Sequence, residues 1–111
     1  NGSLESSTYD TGITEGVAFN SIMWQGTSGT GGTNIVKFQL ASSNSSGGPW
    51  NFLGPDGNPT AYYQPSGPGV PAAVSTLDHN NKRYFRYKVF IEKDAGATTP
   101  VVQDIIINWS P

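Results

Sequence analysis

The chain has 111 residues, 35% hydrophobic and 13% charged, with a net charge of −2 and no cysteine. That length suits one domain, since each half alone would fall near the size where a core becomes marginal. The composition excludes disulfides, thiolate chemistry and Cys-based metal sites, and the weak charge excludes a field that steers nucleic acid or anionic lipid.

Period-two alternation dominates, and no helix-period segment exceeds a turn or two. Residues 3–10 read as a first strand, with Leu4 and Tyr9 offered to the core. Residues 17–25 read as a second, with Phe19 and Met23 on one face and Ile22 and Trp24 on the other, which suits a central position in its sheet. Residues 34–42 alternate most clearly: Val36, Phe38 and Leu40 against Lys37 and Gln39, the pattern of a half-buried antiparallel strand. Short strands are expected at 50–53, 61–64 and 73–77. Residues 83–93 form the longest, with Phe85, Tyr87, Val89 and Ile91 inward and Tyr84, Arg86, Lys88, Phe90 and Glu92 outward. The last, 101–109, is apolar on both faces and is expected to be central rather than an edge, or to pair with the first strand and close the fold.

Between them lie turns. Pro55-Asp56-Gly57-Asn58 suits a tight turn with positive φ, and Asn80 and Asn81 suit a hairpin between Leu77 and Arg83. About eight short strands at this spacing predict an all-β, antiparallel β-sandwich, jelly-roll-like, with no substantial helix. Hydroxyl- and amide-rich polarity, including 14 Gly, is typical of secreted and cell-surface β-domains. Extracellular location is therefore expected, with any targeting segment outside this chain. No apolar run reaches the roughly 18 residues that span a bilayer.

Signals for chemistry are sparse. His79 is the one histidine and reads as a turn residue; Ser75 and Asp78 are its sequence neighbours, but a catalytic triad is defined by geometry. The eight carboxylates sit in no recognisable catalytic setting, so no enzymatic activity is expected. Asp10 and Asp56 are weak Ca²⁺ candidates on oxygen-rich loops that match no EF-hand; no other cofactor is implied. Trp50, Tyr62 and Tyr63 lie near loop ends, where flat rings either stack on glycans or plug the sandwich. Tyr84, Arg86, Lys88 and Phe90 form an outward basic-aromatic stripe: a partner-binding face, or a solvated face with Lys stems over rings.

Several phrases carry a resemblance. Phe19-Asn20-Ser21-Ile22-Met23-Trp24, Val36-Lys37-Phe38-Gln39-Leu40, Trp50-Asn51-Phe52-Leu53-Gly54-Pro55-Asp56-Gly57, Ala61-Tyr62-Tyr63 and the runs 79–90 and 101–109 occur in this order. Together they resemble the C-terminal β-domain of bacterial type IV pilin-like surface proteins, including split geopilin-type β-subunits. The resemblance implies a secreted, non-catalytic head on a filament, partnered by a helical pilin subunit or by copies of itself. The apolar N-terminal helix of that family is missing from these residues, either removed from the chain or carried by a separate one; in both cases a helix partner is expected, with Tyr84 and Phe90 as candidate contacts. The alternative is a non-catalytic carbohydrate-binding module built on Trp50, Tyr62 and Tyr63.

Overall fold

The computed structural model describes residues 2–31, 34–74 and 76–111. Its strands are β1 (Gly2–Glu5), β2 (Tyr9–Asp10), β3 (Ala18–Thr27), β4 (Asn34–Ser43), β5 (Ala72–Ala73), β6 (Tyr84–Lys93) and β7 (Val101–Ser110). A 3₁₀ turn (Pro55–Gly57) and a one-turn helix α1 (Thr76–His79) complete the described elements. The chain is an all-β sandwich of two antiparallel sheets. In one, β6 is central, with β4 along one side and β1 then β2 along the other; the second runs β5-β3-β7.

The strongest alternation in the sequence sets the strongest pairing. Val36, Phe38 and Leu40 of β4 lie opposite Ile91, Val89 and Tyr87 of β6, so their apolar faces coincide, as a period of two requires. These residues meet Phe19, Ile22 and Trp24 of β3 in the core. The alternation of β3 differs from expectation in one respect. A register shift between Phe19 and Ser21 inserts Asn20 as a bulge opposite β7. One extra residue reverses the side-chain parity, and Phe19, Ile22 and Trp24 all become buried on one face. β3 is central, as expected.

β4 is covered on both faces rather than half-buried. Gln39 is only 5% exposed, because its amide donates to the carbonyls of Pro59 (2.8 Å) and Ala61 (2.9 Å). The segment between β4 and β5 folds back over this face. The strands expected at 50–53 and 61–64 reduce to single bridges, Leu53 with Leu40 and Tyr63 with Phe38. Prolines at 49, 55, 59 and 65 interrupt any longer ladder there, since each removes a backbone donor. At the turn, Asp56 (φ 60°) and Gly57 (φ 70°) take the expected left-handed conformation.

Three further expectations are corrected. The first strand is split: Ser6 donates its N–H to the Tyr87 carbonyl and accepts the Tyr87 N–H with its own Oγ, both at 2.9 Å. A side chain thus replaces one ladder carbonyl, and the register slips by one residue between β1 and β2. Leu4 is 64% and Tyr9 42% exposed rather than core, Tyr9 stacking on Phe85 at 5.2 Å from the surface. The strand expected at 73–77 is instead β5 followed by α1, with Leu77 fully in solvent, so left-handed Asn81 joins a helix to β6 rather than closing a hairpin. Finally, β7 pairs with β3 alone and is an edge strand, in a different sheet from β1. Its two-sided apolar pattern reflects Ile105 and Ile107 facing the core and Ile106 lying beside Met23 on the outer face. No helix among the described residues is long and apolar enough to cross a membrane.

Candidate functional site

Two groups of candidate residues, distant in sequence, meet on the outer face of β6. The Arg86 guanidinium lies 4.8 Å over the Trp50 ring, and the Lys88 ammonium lies 4.9 Å from Phe52 and 5.9 Å from Phe90. Lys37 sits 4.1 Å over Tyr62, whose ring meets Phe90 edge-on at 5.0 Å. Carboxylates complete the layer: Glu92 on Lys37 (3.1 Å) and Glu5 on Arg86 (3.0 Å). Arg86 also donates to the Thr8 hydroxyl at 2.8 Å. The Arg83 guanidinium lies 5.1 Å over the Tyr84 ring.

The stripe of Tyr84, Arg86, Lys88 and Phe90 is therefore half-buried under the chain's own aromatic segment, not a bare basic face. Each cation–ring contact is worth about 0.5–1 kcal/mol at such exposure, and together they pin the long connection to the sheet. Tyr63 is 2% exposed and bridges Phe38, so it presents no ring to a sugar. Trp50 and Tyr62 are half-buried, each with a cation over its ring. Phe52 is a member that sequence reasoning missed. Its signal was present: Trp50 and Phe52 are two residues apart, as are Arg86 and Lys88, the spacing that two facing extended segments share.

His79 is buried at the end of α1, 2% exposed, and edge-on to Phe19. Its Nδ1 shares a hydrogen bond with Ser42 Oγ at 2.6 Å, and its Nε2 has no partner among the described residues. Burial pushes its pKa down to about 4, despite the opposing charge of Asp78, with Lys82 lowering it further. The ring is a neutral core group rather than an exposed turn residue. The Ser42–His79 pair has the atoms of a nucleophile and a base, with His79 buried and Ser42 half-buried. The proposed neighbour Ser75 lies outside the described residues.

Asp10 is fully engaged. Arg83 binds both carboxylate oxygens, at 2.8 and 3.0 Å, and the Gly12 N–H donates to one of them at 2.8 Å. These bonds hold its carboxyl below the usual range. A cation at Asp10 would have to compete with the guanidinium for these oxygens. Asp56 is exposed on its turn, and among the described residues no group of three metal-ligating side chains forms.

The open feature lies elsewhere, along the side where β1 and β7 face each other across the two sheets. A groove of about 570 Å³ runs there, floored by Tyr87, Val89 and Ile91 of β6 and rimmed by Leu4, Val102 and Ile105. Leu4 lies opposite Val89 on β1, yet it remains mostly in water because nothing on β7 reaches it. No sequence pattern announced this groove, which exists only because the first and last strands end in different sheets. Comparison of the chain with protein-family models, with curated proteins and with solved structures finds no match.

Proposed function

We propose that the chain is an extracellular structural module, the globular β-domain of a pilus-like or related surface filament, and that it joins its neighbours through the groove between β1 and β7. The observation that carries this reading is the groove itself: an apolar, uncovered side of the sandwich bordered by β7, a ten-residue edge strand. An exposed apolar surface of this kind marks an interaction site more often than an accident of folding. The sequence resemblance supports the same class, with a helical pilin subunit or further copies of the chain as neighbours. The contact surface moves from Tyr84 and Phe90, which the chain engages itself, to Leu4, Val102 and Ile105. In this reading the domain performs no catalysis.

Because the chain has no cysteine, single cysteines report exposure cleanly. On intact cells that make the protein, a membrane-impermeant maleimide is expected to label Ser46→Cys on an exposed loop and to spare Leu4→Cys until the surface assembly is dissociated. Equal labelling of both on intact cells removes the reading, and so does labelling of neither. A non-catalytic carbohydrate-binding module is the second reading. It rests on Trp50 and Tyr62 alone, half-exposed on one face. Glycan-array binding that is lost in Tyr62→Ala would favour it.

A further inference from the structure

The fold blunts three of its four sheet edges. The outer side of β4 is bridged by Leu53 and Tyr63. β5 has two residues, and the β1/β2 edge consists of four and two, with Glu5 held by Arg86. Among the described residues β7 alone is left long. Its ten residues, Val101–Ser110, contain no Pro or Lys; a bulge at Gln103 and the one charge beside it, Asp104, are the devices against strand addition it carries, and Ile105–Ser110 have neither. Pro100 and Pro111 bracket it and confine any pairing to that stretch.

We propose that an extended segment of another chain adds to the free edge of β7 and lays alternate apolar side chains into the groove, becoming the fourth strand of that sheet. This rests on the reading that the groove is the joining surface, and it says which conformation the occupant takes. Two arguments favour a strand over a helix. The first is spacing. The floor from Tyr87 to Lys93 covers six residue steps, about 20 Å at ~3.3 Å per residue, and its apolar residues Tyr87, Val89 and Ile91 recur at every second position, the interval at which an extended segment presents its own side chains.

The second argument is hydrogen bonding. Among the described residues no backbone group pairs with the outward N–H and C=O groups of β7, which leaves them to water. A helix laid against them would strip that water and return nothing, which is costly for buried backbone groups. An added strand replaces each lost bond and places every second side chain against Val89, Val102 and Ile105. The occupant is thus an extended segment with apolar residues at alternate positions and uncharged polar residues between them.

A tethered strand tests this on the whole chain. A Thr-Val repeat about eight residues long is fused after Pro111 through a flexible Gly/Ser linker, which brings it to about millimolar effective concentration. Two controls carry Ser in place of each Val, or a Leu/Ala/Lys helix long enough to span the groove. The Thr-Val fusion is expected to raise Tm by about 4 °C or more and to slow hydrogen exchange of β7 amides at least tenfold; neither control does so. No change with the Thr-Val fusion overturns the inference. Equal stabilisation by the helix, without slowed β7 exchange, overturns it while leaving the groove as the joining surface. Dimerisation of the unfused chain in concentrated solution, with β7 amides protected, also overturns it by making a second copy the occupant. The cysteine-labelling experiment reads the underlying reading independently of all these outcomes.

Discussion

Acidification from pH 7 to pH 4.5 acts first on His79. Its folded pKa is about 4 against an ordinary 6.5, with burial as the main cause. Above pH 6.5 neither the folded nor the unfolded chain holds a proton there. Between 6.5 and 4 the unfolded chain takes up a proton that the folded chain refuses, so unfolding is favoured as pH falls. Each pH unit across that window is worth about 1.4 kcal/mol, and the whole gap about 3 kcal/mol. Against a total stability of about 5–15 kcal/mol, that is a large fraction, and it corresponds to a Tm loss of about 10 °C for a domain of this size. The one carboxylate with a shifted value, Asp10, acts below this range. The stabilisation that Asp10 gains from Arg83 is present above its unfolded pKa of 3.8 and is lost only as pH falls through its lower folded value. The assay is urea unfolding followed by tryptophan fluorescence at several pH values between 4.5 and 7, for the wild type and His79→Gln. The wild type is expected to lose stability steadily through the window, while the variant, whatever its absolute stability, shows a much flatter profile. A wild-type profile that is flat from 7 to 4.5, or equal slopes in the two proteins, would refute the placement of a neutral imidazole in the core.

Two further outcomes test other parts of the structure. Arg86→Ala removes the contact with Trp50, the ion pair with Glu5 and the hydrogen bond to Thr8; a loss of about 1–2 kcal/mol is expected, with a shift in Trp50 fluorescence, and an unchanged melt would show that the aromatic layer does not hold the sheet. Added Ca²⁺ or chelator is expected to leave Tm unmoved, because Arg83 occupies both oxygens of Asp10; a rise in Tm with Ca²⁺ in the wild type that disappears in Asp10→Asn would place a metal there after all.

The candidate site was partly legible in the chain. The rings and cations of the outer layer stood out individually, because residues 84–90 alternate charge with aromatics and residues 50–62 cluster rings among prolines. That they would cover each other was not legible, since it depends on which way the long connection folds. Ser42 is simply the last residue of the strand read at 34–42 and His79 reads as a turn residue; only their approach to 2.6 Å makes them a pair. The groove left no trace at all, being a gap between elements rather than a property of any one of them.

Local pattern by itself determined the strand class, the β4 and β6 segments and the residues they turn inward, and the turn at Asp56-Gly57. Each depends on a residue's own side chain and its neighbours two or three positions away, where alternation and φ preference act. Tertiary structure alone decided that one bulge at Asn20 unites Phe19 with Ile22 and Trp24, and that His79 is buried. It alone placed β1 and β7 in different sheets, leaving β7 at an edge. The reason is that burial and strand order are set by which surfaces meet across the chain. An apolar strand reads the same whether its outer neighbour is another strand, its own loop or water.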